Sequence, residues 1–290
     1  MFVIAGVSGN TGSVVANTLL SEGRKVRVLV RDAAKGAAWK TKGAEVVVAD
    51  LHGPQDALAS AFAGAEGAYV LLPPLMRDDF VEVNARTART VVAALKASRV
   101  PHTVLLSSVG VQHEAGTGPI LTLHRFEHEI RTAGLDATFV RAAYFMENLE
   151  SGLETAATKG VLPAFGDPTH AFPMIASDDI GRTAARALRS PRKGQHVINL
   201  SHPQPYSLDD AAAAFGRALG RPVKTARVPD ERIAETLMGF GMPRANAAGM
   251  QEMVIGGSKG LLAFESSGEA TQGTVSLDAF ATRLVWTRRK

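Results

Sequence analysis

Residues 2–21 read FVIAGVSGNTGSVVANTLLS, and the rest of the chain is arranged around them. Residues 2–5 are apolar and partly β-branched, the mark of a buried strand. The chain then turns through Gly6, Gly9 and Gly12 into a segment with helical spacing of apolar residues, stopped at Gly23. Strand, glycine-rich turn and helix together form a cradle for a pyrophosphate. Gly6 permits the tight turn, Gly9 lets the backbone approach phosphate oxygens, and Gly12 lets the helix pack close to the strand. The helix start then offers free N–H groups to an anion. The spacing is G-x-x-G-x-x-G rather than G-x-G-x-x-G. Ser8, Asn10 and Thr11 complete the turn, so Gly6, Ser8, Gly9, Asn10, Thr11 and Gly12 form the expected pyrophosphate site.

Outward from this turn, strand-like and helix-like segments alternate. Strands are expected at 25–30, 44–50, 67–73, 102–108 and 137–142, with helices at 33–42, 54–64, 78–98 and 120–134 between them. Six such repeats with short connections predict an α/β fold, a doubly wound Rossmann parallel sheet with helices on both faces. Right-handed crossovers favour the strand order 3-2-1-4-5-6. From about residue 150 the pattern loosens. VLPAFGDPTHAFP, residues 161–173, reads as a loop with room for short strands. Capped helices follow at 177–190, with Ser177 as N-cap, and at 207–220. QHVINL and VKTARV read as strands, and three further helical stretches end the chain. The expected division is 1–150 as dinucleotide-binding domain and 151–290 as a smaller α+β lobe over the crevice. Segments of about 172–200 are candidates to return to the first unit.

Composition narrows the function classes. The chain has 290 residues, 46% of them hydrophobic, enough for a sizeable core. It has no cysteine, hence no disulfide framework, thiol nucleophile or cysteine-based zinc site. No apolar run of about 18 residues predicts a membrane span, and the first strand begins without a basic leader. These features point to a cytoplasmic protein. The net charge is +4, and the basic residues are scattered apart from the terminal RRK. A phosphorylated cofactor accounts for that excess without nucleic acid. The partner is then a small molecule, with a homodimer as a candidate assembly.

The second strand ends at Val30, followed by Arg31 and Asp32. An acidic residue there suits the ribose 2′-hydroxyl of NAD, and an arginine the 2′-phosphate of NADP. Arg31 comes first and Asp32 can cap the next helix, so NADP is favoured over NAD. Ligands lie beyond the carboxyl ends of the strands. Asp50 and Leu51 after strand 3 suit the adenine. Leu72 and Pro73 after strand 4, with Ser107 after strand 5, suit the nicotinamide side. Pro74, Tyr144, Asn148 and Phe172 are candidates to line a substrate pocket.

The segments GVSGNTG, VRDAAKG, VVVADL, LKASRVPHTVLLSSVG, IRTAGLDATFVRAAYFMENL and FPMIASDDIGRTAARAL resemble the NmrA-like family of atypical short-chain dehydrogenases/reductases. The nearest in character are the bacterial NAD(P)H:quinone oxidoreductase-like members. The likeness runs from residue 2 to about 257. It implies two lobes, NADP in the first and a substrate cleft under the second. It also implies reduction of a quinone or small carbonyl compound, or, alternatively, NADP sensing without turnover through a protein partner.

The wider superfamily uses a Tyr-x-x-x-Lys pair as proton donor and pKa modifier. Tyrosine occurs here only at 69, 144 and 206, and none is followed by lysine four positions on. Some reductases of this branch keep a lysine eleven residues before the glycine that corresponds to Gly134; here that position is Leu123, beside His124. His124, Ser107 and Ser108 are therefore the candidate catalytic residues. An epimerase or dehydratase would need a tyrosine base too. Residues 124–128, HRFEH, fit the inverted zinc-peptidase pattern H-x-x-E-H. They fall in a dinucleotide-binding repeat, where such peptidases have no counterpart, and no metal is expected.

Overall fold

The computed structural model describes residues 1–288; Arg289 and Lys290 of the terminal basic run lie outside the described residues. The first unit repeats the expected alternation. It runs β1 (Phe2–Ile4), α1 (Asn10–Ser21), β2 (Val26–Val30), α2 (Ala37–Thr41), β3 (Glu45–Val48), α3 (Gln55–Phe62) and β4 (Gly67–Val70). It continues with α4 (Phe80–Ala97), β5 (Thr103–Ser108), α5 (Ile120–Thr132) and β6 (Ala137–Ala142). The helix expected at 33–42 is split. A 3₁₀ turn at Ala33–Gly36 precedes α2, and the Asp32 carboxylate caps it by accepting from the Ala34 N–H at 2.9 Å.

The second part carries β7 (Tyr144–Phe145), a 3₁₀ stretch Met146–Gly152, α6 (Leu153–Lys159), β8 (Val161–Phe165), β9 (Met174–Ile175) and α7 (Ser177–Arg189). Then come β10 (Gln195–Ser201), α8 (Leu208–Leu219), β11 (Lys224–Val228), α9 (Ile233–Gly239), α10 (Arg244–Ser258), β12 (Glu269–Gln272) and α11 (Leu277–Arg288). The main sheet has the order β12-β10-β6-β5-β4-β1-β2-β3, and every pairing in it is parallel. The expected 3-2-1-4-5-6 order is thus extended at one end by β10 and β12. No strand is expected from EATQ at 269–272, because an exposed polar edge strand shows no apolar alternation. β8 pairs with β11, and β7 with β9, in two small parallel sheets.

One face of the sheet is covered by α1 and α7, the other by α3, α4 and α5. A separate core under α6, α8 and α11 holds Phe215, Phe280 and Leu162. Each fully buried side chain of this size contributes about 2–3 kcal/mol.

The start of the ASDDIGR helix is capped by a different residue from the expected Ser177. Ser177 is the first residue inside α7 and does not cap it. The cap comes from Glu147, whose carboxylate accepts from the Ser177 N–H at 3.0 Å and from its hydroxyl at 2.6 Å. Burial pushes the Glu147 carboxyl above the usual carboxylate range. Asp179 accepts from the N–H groups of Thr274 and Val275 at 3.0 and 2.9 Å, which pins the chain after β12. A Cβ on Gly181 would lie 2.5 Å from Val14 Cβ, so only glycine lets α7 approach α1 this closely.

His102, at the foot of β5, is almost fully buried. Its Nε2 meets Thr138 Oγ1 at 3.1 Å, while Nδ1 has no partner. Burial lowers its pKa below the ordinary 6.5. Above pH 6.5 both folded and unfolded chains hold it neutral. As pH falls through that value, the unfolded chain takes up a proton that the folded chain refuses, and stability is lost. The loss is limited to about 1.4 kcal/mol per pH unit for one site. Urea unfolding of His102→Phe should therefore show a smaller loss between pH 7.5 and 5.5 than the parent. Equal losses would place the acid sensitivity elsewhere.

Candidate active site

Because the strands run parallel, their carboxyl ends share one edge, and the expected site residues fall along it in sheet order. Asp50 follows β3, Arg31 follows β2, and the glycine turn follows β1. Leu72, Pro73 and Pro74 follow β4, Ser107 and Ser108 end β5, and Tyr144 follows β6. The strand order reverses between β1 and β4, which is where open α/β sheets form their binding crevice.

The glycine turn is built by contacts that leave little choice of residue. Gly6 has φ +69°, in the left-handed region that favours glycine. A Cβ on Gly12 would lie 2.5 Å from the Gly6 carbonyl oxygen and 2.6 Å from that of Ala5. α1 therefore starts against the end of β1, at a distance that only glycine allows. Gly9 is the N-cap of α1 and has no side chain to cap it. The first N–H to find a helical carbonyl is that of Ser13, which donates to Gly9 O at 3.3 Å. The N–H groups of Asn10, Thr11 and Gly12 have no intrahelical acceptor. Ser8, Gly9 and Asn10 are exposed, so this end of the helix faces outward with its donors and partial positive charge.

The Thr11 side chain, by contrast, turns inward. Its Oγ1 accepts a hydrogen bond from the buried Tyr69 hydroxyl at 2.8 Å. Thr11 thus leaves only its main-chain N–H toward the open side of the turn, and Tyr69 holds the turn from below. A lone tyrosine in a strand gave no sign of this role in the sequence.

At the ends of β2 and β3, Arg31 is exposed. Asp50 is half-buried, and its Oδ1 accepts from the His52 N–H at 3.0 Å. The Leu51 side chain is buried in the core, leaving its main chain at the edge.

On the other side, Tyr144, Asn148 and Phe172 do come together. The Tyr144 and Phe172 rings meet edge to face with centroids 5.3 Å apart. The Tyr144 hydroxyl is hydrogen-bonded to the Asn148 side chain, and burial pushes its pKa up to about 12. It therefore stays protonated and can donate.

The three catalytic candidates fare differently. The Ser107 hydroxyl is buried and donates to Glu127 Oε1 at 2.6 Å, so it is turned away from the edge and already spent. The Ser108 hydroxyl donates to Val109 O at 2.9 Å. His124 Nδ1 lies 2.8 Å from Val111 O and must donate to it. His124 lines a cavity of about 580 Å³ between α5 and β10, together with Arg131, Gln195 and Glu265. Neither the glycine turn nor Tyr144 lines that cavity. In the H-x-x-E-H segment, Glu127 faces inward to Arg141, and His128 is exposed on the helix surface. Among the described residues, no group of three metal-ligating side chains converges.

Sequence reasoning placed the second half over the crevice but did not foresee how α10 is fastened there. α10 crosses the loops that follow β4 and β5. The buried Asn246 side chain donates to Leu75 O at 2.8 Å and accepts from the Arg77 N–H at 3.0 Å, clipping the main chain on both sides of Met76. Glu252 accepts from the Gly116 N–H at 3.0 Å. A Cβ on Gly118 would lie 2.0 Å from Gly249 O, so helix and loop touch backbone to backbone.

Comparison with known proteins agrees with this architecture. The model of the NmrA-like family matches residues 1–259. An NAD(P)H azoreductase of Xenophilus azovorans is 29% identical over 255 residues, covering 87% of this chain and 86% of that protein. Quinone oxidoreductase 2 of Escherichia coli is 28% identical over 266 residues, covering 90% and 89%. The crystal structure of the Escherichia coli NADPH-dependent quinone oxidoreductase QOR2 complexed with NADPH superimposes with a TM-score of 0.81 at 22% identity, over 98% of this chain and 99% of that one. The chain belongs to the NmrA-like family.

Proposed function

We propose that this protein is an NADPH-dependent reductase that passes a hydride to a quinone, an azo compound or a small carbonyl compound. One observation carries the reading: the uncapped start of α1, set against β1 by Gly12, opens at the point where strand order reverses. Bare N–H donors at that place fit a pyrophosphate. Gly6, Ser8, Gly9, Asn10, Thr11 and Gly12 would hold it. Asp50 and the Leu51 main chain would meet the adenosine, and Arg31 the 2′-phosphate. Leu72 and Pro73 would flank the nicotinamide side. The reductase relatives support a nicotinamide cofactor, and Arg31 is the reason to prefer NADP.

The bound dinucleotide supplies the hydride; the chain supplies place and polarity. Pro74 and the Tyr144–Phe172 edge would line the acceptor site, with the Tyr144 hydroxyl and Asn148 directed to an acceptor oxygen or nitrogen. Hydride transfer to such acceptors needs little beyond contact between donor and acceptor. That removes the need for a Tyr-x-x-x-Lys pair. The spent hydroxyl of Ser107 and the placement of His124 argue against both as proton donors. Among the described residues, no helix is long and apolar enough to cross a membrane. The reading takes a small-molecule partner, a homodimer and a cytoplasmic location.

NADPH oxidation across a panel of quinones, azo dyes and aldehydes tests the proposal. Turnover with at least one class is expected. No turnover, together with NADP-dependent capture of one protein, would instead establish a sensor. Arg31→Ala should weaken NADPH binding by about 10- to 100-fold, the equivalent of about 1.5–3 kcal/mol for a charge-assisted bond. NADH binding should barely change. Equal losses for both dinucleotides would remove Arg31 from the 2′-phosphate.

A further inference from the structure

His52 follows Asp50 and Leu51 beyond the carboxyl end of β3. Its ring is tied to α4: Nδ1 lies 2.6 Å from Thr87 Oγ1. The Thr87 hydroxyl donates its own hydrogen to Val83 O at 2.9 Å. The threonine oxygen must therefore accept, and His52 Nδ1 carries the hydrogen. In the neutral ring Nε2 is then a bare acceptor, and it has no partner. Asn84, one turn before Thr87 on the same helix, is buried with its Oδ1 also unpartnered.

The charges that act on this ring come from three elements. Arg31 stands after β2, Asp50 in the ring's own loop, and Arg77 in the loop after β4. α4 presents Thr87 and Asn84, neither of them charged. Burial, first of all, holds the imidazole neutral, below the usual histidine range; Asp50 opposes it, and Arg31 and Arg77 add to it. A dianionic phosphate beside Arg31 would offset that cation and add to the negative charge of Asp50, favouring a protonated ring. The proton it draws in has only one place to go, Nε2, and the bond to Thr87 survives unchanged.

We propose that His52 is a specificity-determining residue for the phosphorylated dinucleotide, taking up a proton at Nε2 when a 2′-phosphate is bound beside Arg31. The inference rests on the reading of Arg31 given above. It makes the preference for NADPH over NADH depend on pH in a particular way. A phosphate monoester loses its second proton near pH 6, so by itself the 2′-phosphate binds more weakly as pH falls. Protonation of His52 offsets that loss, by at most tenfold per pH unit for one proton.

Dissociation constants for NADPH and NADH, measured from pH 6 to 8 on the full chain and on His52→Gln, test this. At pH 6 the NADPH/NADH preference of the parent should exceed that of the variant by about three- to tenfold, and the two should meet by pH 8. Calorimetry at pH 6 in two buffers of different protonation enthalpy should show extra proton uptake with NADP⁺ in the parent and no excess with NAD⁺. Coincident pH courses, or a deficit as large at pH 8 as at pH 6, would overturn the inference while leaving the reductase reading intact. Failure of NADPH to bind at all would overturn both. Should His52→Gln fold poorly, NMR titration of the eight histidines of the parent decides. One imidazole must titrate higher with NADP⁺ than with NAD⁺, and no such shift would end the proposal.

Discussion

Gly9→Ala will fold as the parent does and fail to bind NADPH, whereas Gly12→Ala will lose both stability and binding. The two glycines sit three residues apart in one turn, and their surroundings differ. At Gly12 a methyl would lie 2.5 and 2.6 Å from two backbone carbonyl oxygens. Backbone cannot swing aside as a side chain can, so α1 must move away from β1. Overpacking of this kind costs about 3 kcal/mol or more. At Gly9 the nearest atom to a new methyl is Gly6 O at 3.4 Å, an ordinary contact. The backbone there, at φ −105° and ψ −179°, suits any residue. The stability change should stay within about 0.5 kcal/mol. The added methyl would instead stand on the outward face, over the N–H groups that the pyrophosphate needs. Thermal unfolding and NADPH titration on both variants separate the cases. A Gly9→Ala protein that still binds NADPH with parental affinity would show that the turn grips no phosphate.

The same contrast explains how much could be read in the sequence. The glycine turn and the six strands before residue 143 were legible because local rules set them: buried parallel strands are apolar throughout, and crossover chirality orders them. Asp32 as a cap and the capped start of the helix at 207–220, which the structure closes with Ser207 and Asp210, were legible for the same reason. What was not legible depends on partners far along the chain. Ser177 looks like an N-cap, but the cap is Glu147, thirty residues away. β12 joins the sheet through pairing with β10, although its own residues are polar and exposed. Asn246 clips a loop 171 positions distant, which no spacing rule can announce. Along the carboxyl edge of the sheet, the strand ends were legible but the directions of side chains were not. Ser107 ends its strand where expected, yet its hydroxyl points into the core because the Glu127 carboxylate is there to receive it.

That carboxylate leads to the other large effect. Glu127→Gln should cost about 3–5 kcal/mol, the usual result of leaving one partner of a buried ion pair without the other. Arg141 and Glu127 are each about 5% exposed and face one another in a fork, Nε to Oε1 at 3.1 Å and Nη2 to Oε2 at 2.8 Å. Arg131 reaches the same carboxylate at 3.2 Å from the next turn of α5, and Ser107 from β5 at 2.6 Å. The second arm of Arg141 holds Glu265 at 2.8 Å, on the segment between α10 and β12. One carboxylate thus ties α5 to β5 and β6, and through Arg141 to the segment that leads into β12. A glutamine there loses the charge and turns an N–H₂ toward a buried guanidinium whose other carboxylate, Glu265, reaches only its second arm. Removing both charges differs: Glu127→Leu with Arg141→Met leaves no buried ion unpaired, and should recover most of the loss. Urea unfolding of Glu127→Leu, Arg141→Met and the double variant closes the cycle. If Glu127→Gln instead kept parental stability and lost only turnover, the glutamate of the H-x-x-E-H segment would be acting on substrate, and its place in the fold would not be its purpose.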